Sequence, residues 1–268
     1  MQLSIPVPVL KIIEELHLAG YEAYAVGEGM RDSLIGLEPQ ELRVTTDAPA
    51  EMVDTLFDRV YPSKEDDVSL VVLSEQVPVK VTCLGERLSG LRHHDFTVNS
   101  LSYDPFSKQL VDPWQVSSSL NAGVGVIQAV GDPSVRFQED PARLLKVFYL
   151  MKRFDDAGIE WQVEQGTWDA LGQCSPAVRA VPSREQAKLI DRIIVGRRPE
   201  IYFEKMRSTG LLKYILPELA DTYGIVENGY HIKDVFDHTM LVVKKIRPEL
   251  HLRWAALLHD IGKPHCIS

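Results

Sequence analysis

Cysteine is scarce in this chain of 268 residues: Cys83, Cys174 and Cys266 are far apart and odd in number. That excludes a disulfide framework and a zinc ribbon built on paired cysteines, and it makes a reducing cytoplasm the expected setting. Long apolar runs are missing as well. No stretch reaches the roughly 18 uncharged apolar residues that a membrane helix needs. The opening residues 1–6 lack the basic region and long apolar core of a signal peptide, so no membrane partner is expected. Positive charge is short: 29 Lys and Arg stand against 38 Asp and Glu, a formal net charge of −9. This excludes a surface coated with nucleic-acid-binding charge but leaves room for a local basic groove. Internal repeats and low-complexity segments are absent.

What the chain does have is 45% hydrophobic residues in patterns that support ordinary cores. Residues 7–18 carry apolar side chains at helical spacing and end before Gly20, which predicts a packing helix. An apolar strand at 21–26 then runs into Val26-Gly27-Glu28-Gly29-Met30-Arg31-Asp32, and a helix is expected at 30–35, stopped by Gly36. A strand at 41–45 sets Glu41 and Arg43 two apart, hence on one face. A helix follows to residue 57, then strands at 66–73 and 77–84. The first 110 or so residues therefore read as mixed α/β.

From residue 110 the texture changes. A Ser/Asn/Gly-rich connection spans 117–125, and helical periodicity dominates afterwards. A helix is expected over 137–146 with Asp140 as its cap and Pro141 at its first position, and further helices at 161–171, 183–195 and 201–208. Phe148, Tyr149 and Trp161 are read as core. Near the end, His238 and the adjacent His259-Asp260 sit on two helices that could converge two imidazoles and a carboxylate on one divalent transition metal.

A glycine turn beside a strand bearing two carboxylates is a layout that cradles a triphosphate and holds magnesium. Here one of the two carboxylates is Arg43. The plainer reading of residues 27–32 is a tight strand–helix turn. For Asp140 and Arg143 it is a cap and an ion pair along a helix, and for His93 and His94 it is surface placement.

In order, these segments resemble the class II tRNA nucleotidyltransferase and bacterial poly(A) polymerase family over nearly the whole chain. The matching pieces are Val26-Gly27 with Arg31-Asp32, Thr46-Asp47-Ala48, Asp95-Phe96-Thr97-Val98-Asn99, Val111-Asp112-Pro113, Ala129-Val130-Gly131-Asp132-Pro133, Glu139-Asp140-Pro141 with Arg143, and Leu216-Pro217-Glu218-Leu219. The tail from His238 resembles the start of an HD phosphohydrolase-type domain, whose later aspartate has no counterpart before Ser268. The resemblance implies an α+β architecture: a polymerase-beta-like head over 1–129, a helical neck over 130–222, and a partial HD-like domain over 223–268. It implies CTP, ATP and the 3′ end of tRNA or another RNA as partners, and magnesium as the head's cofactor. It places Gly27, Arg31, Asp32, Asp95, Asn99, Asp140 and Arg143 at the nucleotide, the last two as readers of the base. A homo-oligomer is compatible with the sequence.

The departures from that pattern cluster where phosphate and metal belong. Glu28 replaces the second glycine, Glu41-Leu42-Arg43 replaces an Asp-x-Asp pair, and Lys80 stands at the third carboxylate. His93-His94 replaces paired arginines, and Glu185-Gln186 replaces a Glu-Arg pair. Arg43 and Lys80 are expected to form salt bridges with Glu28 and Glu41, leaving nucleotidyl transfer impaired or lost. Two other readings stay open: an HD-domain phosphohydrolase carrying a regulatory nucleotidyltransferase-like module, and a non-enzymatic scaffold.

Overall fold

The computed structural model describes residues 4–63, 69–84, 94–226 and 234–266, and divides into two compact units, Met1–Val130 and Gly131–Ser268. His93 and the start of the strand expected at 66–73 lie outside the described residues.

The first unit is built on a seven-stranded sheet. Its elements are α1 (Val7–Leu18), β1 (Ala23–Val26), α2 (Glu28–Leu34), β2 (Arg43–Thr46), α3 (Ala50–Leu56), β3 (Val60–Pro62), β4 (Leu70–Ser74), β5 (Val77–Cys83), a 3-10 turn (Thr97–Asn99), β6 (Ser102–Asp104), β7 (Gln109–Val111), α4 (Val116–Asn121) and β8 (Val124–Ile127). The strand order is β3-β4-β5-β2-β1-β6-β7. Only the central β2–β5 pair is parallel. Helix α1 buries Val9, Ile12, Ile13 and Leu16, the helical stripe visible in the sequence, against β1, β2, β4 and β5. Each such side chain contributes about 1.5–3 kcal/mol by leaving water.

Two local expectations change here. Strand β2 begins at Arg43, so Glu41 precedes the strand. The 117–125 stretch is not a plain connection: Asp112 accepts from the Val116 and Ser117 amides at 2.9 and 2.8 Å and starts α4, with β8 after it. An aspartate four residues upstream outweighs the low helix propensity of Ser117 to Ser119.

The second unit is mainly helical. It contains α5 (Pro133–Glu139), α6 (Arg143–Ala157), a strand β9 (Glu160–Val163), α7 (Gln165–Cys174), a 3-10 turn (Ser175–Ala180), α8 (Ser183–Ile194), α9 (Pro199–Ser208), two single-turn helices, α10 (Leu212–Ile215) and α11 (Pro217–Ala220), then α12 (Val235–Lys245) and α13 (Leu250–Leu258). Helix α6 is its spine, buried from Leu144 to Asp155 except at Lys146, and packs against α8 and α9.

The helix expected over 137–146 is two helices. Asp132 caps α5 by accepting from Ser134 and Val135 amides, while Asp140 is extended (φ −139°, ψ 94°) because the following Pro141 disfavours a helical residue before it. Asp140 then accepts from the Ala142 amide at 3.0 Å at the start of α6. The helix expected from Trp161 is instead β9, and α7 starts only after Glu164 caps it through the Gly166 and Thr167 amides. The alternation of Glu160, Trp161, Gln162 and Val163 fits a strand better than a helical stripe.

Candidate functional site

Strands β2 and β5 set the head's key side chains. Their parallel register pairs Arg43 with Lys80, so both side chains leave the sheet on one face, and the Lys80 amide donates to Leu42 O at 2.9 Å to carry the ladder back toward Glu41. Glu41 answers both cations. Arg43 donates Nη2 and Nε to Glu41 Oε1 at 3.0 and 3.2 Å, and Lys80 Nζ reaches Oε2 at 2.7 Å. Burial pushes the Glu41 carboxyl up, but Arg43 and then Lys80 outweigh it and hold it below its ordinary range. The expected Lys80–Glu41 bridge is present, and Arg43 meets Glu41 as well. Glu28 lies 3.9 Å from Arg31 Nη2.

Magnesium requires several oxygen ligands in near-octahedral array. Here the one carboxylate has a cation on each oxygen, and two of the three positions carry fixed positive charge. These residues do not fit a magnesium ion.

The glycine turn beside this triad is backbone chemistry. Gly27 has φ 79° and ψ −149°, a region that only glycine enters readily. A β-carbon on Gly29 would lie 2.6 Å from the Glu41 carbonyl oxygen, so α2 can approach the pre-strand segment only without a side chain there. His94 is half-buried, with Cε1 3.7 Å from where a Gly27 β-carbon would be, so it borders the turn and is not on the open surface.

Four of the residues expected at the nucleotide are brought together. Arg31, fully buried, donates Nη1 to Asn99 Oδ1 at 2.6 Å and Nη2 and Nε to Asp32 Oδ1 at 2.7 and 3.1 Å. Asn99 donates to Asp95 Oδ1 at 2.8 Å, which also accepts from the Phe96 amide. This chain of charge-assisted bonds fastens α2 to the 3-10 turn.

In the second unit, Asp140 and Arg143 flank the break between α5 and α6. Arg143 donates Nη1 to Arg136 O at 2.8 Å and to Glu139 Oε2 at 3.2 Å. Its Nε is buried, 3.7 Å from Asp140 Oδ2, and without a hydrogen-bond partner among the described residues. Asp140 also meets Lys146 at 3.3 Å. Gln186 turns inward, donating to Val178 O and Val181 O at 3.2 and 2.8 Å, and thereby holds the turn before α8.

His238 on α12 and His259-Asp260 after α13 do converge: their ligand atoms lie within 4.8 Å of one another. The His259 Nδ1 faces Ala256 O at 2.7 Å, which makes Nδ1 the donor and turns Nε2 toward Asp260 Oδ2, 3.1 Å away. Lys263 Nζ sits 2.8 Å from the same oxygen. Two imidazoles and a carboxylate suit a divalent transition metal.

Two features escaped the sequence reading. Asp155, at the end of α6, accepts from Trp161 Nε1 at 2.8 Å, from Arg198 Nε at 2.9 Å and from the Tyr202 hydroxyl at 2.5 Å. Phe148 and Tyr149 are core, but Trp161 is only half-buried, with the cations of Arg198 and Lys205 over its ring. The period-two pattern around Trp161 was the available signal.

Known proteins agree with this layout. A family model described as "Probable RNA and SrmB- binding site of polymerase A" matches residues 161–222. The chain is 30% identical over 209 residues to the CC-adding tRNA nucleotidyltransferase of Halalkalibacterium halodurans, covering 77% of this chain and 53% of that protein. It is 24% identical over 253 residues to poly(A) polymerase I of Haemophilus influenzae, covering 82% and 54%. Among solved structures, the Bacillus stearothermophilus CCA-adding enzyme in complex with CTP shares the fold with a TM-score of 0.75 at 21% identity, over 96% of this chain and 64% of that one. The chain spans a little over half the length of the curated relatives it matches. With the α+β head, the helical second unit and the ordered motifs described above, the chain belongs to the tRNA nucleotidyltransferase/poly(A) polymerase family.

Proposed function

We propose that this chain keeps the family's RNA- and nucleotide-binding scaffold while its head has lost metal-dependent nucleotidyl transfer. The observation that carries this reading is Glu41 clasped between Arg43 and Lys80, two cations at the register-matched strand positions where metal-holding carboxylates would stand. An arginine cannot shed its charge by losing a proton, so the pocket does not open to magnesium as pH rises. The partners proposed are CTP or ATP and the 3′ end of tRNA or a related RNA. Asp140 and Arg143 are offered as the base contact, since Arg143 Nε is buried with no hydrogen-bond partner among the described residues and an incoming base could satisfy it. The test is incorporation of labelled CTP and ATP into tRNA lacking its 3′ end, with magnesium. No incorporation above background, together with a nucleotide-induced thermal shift, supports the reading; turnover at a normal family rate overturns it.

A second reading rests on the convergence of His238, His259 and Asp260: a divalent-metal phosphohydrolase site in the second unit, for which the head is a non-catalytic module. Neutral imidazole nitrogens and a carboxylate would hold the ion, whose chemistry is the activation of a water. Hydrolysis of 2′,3′-cyclic phosphates with nickel or manganese, lost in His259→Ala, is the result expected of it.

A further inference from the structure

Between residues 179 and 213 nine lysines and arginines stand against four acids, in a chain whose net charge is −9. The positive charge is therefore gathered in one part of the second unit, and there it is gathered around aromatic rings. Lys205 Nζ lies 5.7 Å from the centre of the Trp161 ring and 5.2 Å from that of Trp168, so one ammonium stands over two indoles contributed by β9 and α7. Among the described residues no carboxylate lies within ion-pair reach of Lys205. Both indoles are half-buried and keep part of their surface open. Trp161 is also fixed in orientation, because its Nε1 donates to the buried Asp155. Arg198, bound to the same aspartate, adds a second cation 5.9 Å from the Trp161 ring centre. The arrangement repeats at Tyr214, whose ring lies 4.7 Å from the Arg179 guanidinium and 4.8 Å from Lys213 Nζ. Neither of those exposed cations has a carboxylate partner among the described residues.

A cation over a partly open ring is held there by only about 0.5–1 kcal/mol, so both the charge and the exposed ring face remain available to a further partner. Here the rings remain partly open and, among the described residues, Lys205, Arg179 and Lys213 have no carboxylate partner, whereas Arg198 is paired with Asp155. The ligand class that supplies both a flat aromatic face and a negative charge at short, regular spacing is single-stranded nucleic acid. A folded protein partner offers acids without stacked bases, and a duplex hides its base faces. We infer that Trp161, Trp168 and Lys205 form a stacking platform for a single-stranded RNA segment, the bases lying on the indoles and a phosphate meeting Lys205. The inference rests on the RNA-binding part of the function proposed above, and it places the contact outside the head and away from Asp140 and Arg143 in sequence.

The experiment uses the full chain and a fluorescein-labelled single-stranded RNA 12-mer, with the same sequence as a duplex for comparison. Binding is read by anisotropy and by quenching of tryptophan emission. The platform predicts preference for the single strand and quenching on binding. It predicts affinity lowered about five-fold or more in Trp168→Ala and largely recovered in Trp168→Phe, the usual scale for loss of one stacked base. In Lys205→Gln the slope of log affinity against log salt should fall by about 0.7. Lys205→Gln removes charge from a partly open position and leaves the ring packing in place, so it reports even if Trp168→Ala folds poorly. Wild-type affinity and salt slope in Lys205→Gln and Trp168→Ala overturn the platform while leaving the proposed function standing. A wild-type chain that binds nucleotide but not the single strand also overturns it, and the incorporation assay judges the rest separately.

Discussion

Replacing Glu41 by glutamine removes the carboxylate that bridges Arg43 and Lys80, and the pH dependence of stability should register it. The folded carboxyl titrates below its ordinary value near 4.5, so the clasp contributes fully above that value and is lost as pH falls through the folded one. The melting temperature of wild type should therefore drop more steeply below about pH 4.5 than that of Glu41→Gln, while near pH 7 the variant is less stable by about 1–3 kcal/mol. Parallel acid titrations followed by circular dichroism give both numbers. Gly29→Ala tests a different contact. Its β-carbon meets a backbone carbonyl that cannot rotate away, so a loss of about 1–3 kcal/mol is expected in chemical denaturation. That both cations would be matched by nearby acids was legible in the sequence, because an arginine and a lysine at metal-facing positions must find an anion and Glu28 and Glu41 are at hand. That Arg43 would take Glu41, and that Gly29 mattered for the carbonyl of Glu41, was not legible; both depend on how closely α2 approaches the segment before β2.

At the scale of elements, Asp155 ties together the end of α6, strand β9 and the start of α9, through Trp161, Arg198 and Tyr202. Burial raises the Tyr202 hydroxyl's pKa, and the neighbouring Asp155 raises it further, so this phenol stays a donor throughout the working range. Asp155→Ala leaves an indole N–H, a phenol and a guanidinium edge facing one another, and should destabilise the second unit by about 3–5 kcal/mol in urea unfolding. Asp155→Asn, which keeps an acceptor, should cost less. Helices with a wide apolar stripe, α1 and α8, were read almost to the residue because the stripe determines both type and extent. Elements set by caps and turns were not. Asp112 and Glu164 start α4 and α7 by side-chain bonds to amides two to five residues on, a signal weaker than periodicity when only the sequence is read. Asp140-Pro141 was read as a start because proline is welcome there, whereas the same proline bars its predecessor from the helix before it.

For the whole molecule, the two units should respond to metals differently. Magnesium at millimolar concentration should leave the melting curve unchanged, since Glu41 is already paired with Arg43 and Lys80. Nickel or manganese should raise the melting temperature in wild type but not in His259→Ala. An equal shift in both would remove His238, His259 and Asp260 from consideration as a metal site. The membership of the family was legible from the order of short motifs, none of which is distinctive alone. The charge segregation was visible too, but its clustering around half-open rings needed the fold, because Trp161, Trp168 and Lys205 come from three separate elements. The parallel register that sets Arg43 opposite Lys80 also constrains the order in which this site can have changed. With Glu41 gone, two like charges would stand directly across neighbouring strands, a destabilising pair, whereas either cation can be lost while the other still matches the carboxylate. Glu41 is thus not the first of the three that drift can remove, and its loss should be milder in a Lys80→Met background than alone, by about 0.5–3 kcal/mol in a double-mutant cycle. Homologous chains that have lost one cation should retain an acid at this position, and chains that have lost the acid should have lost a cation first.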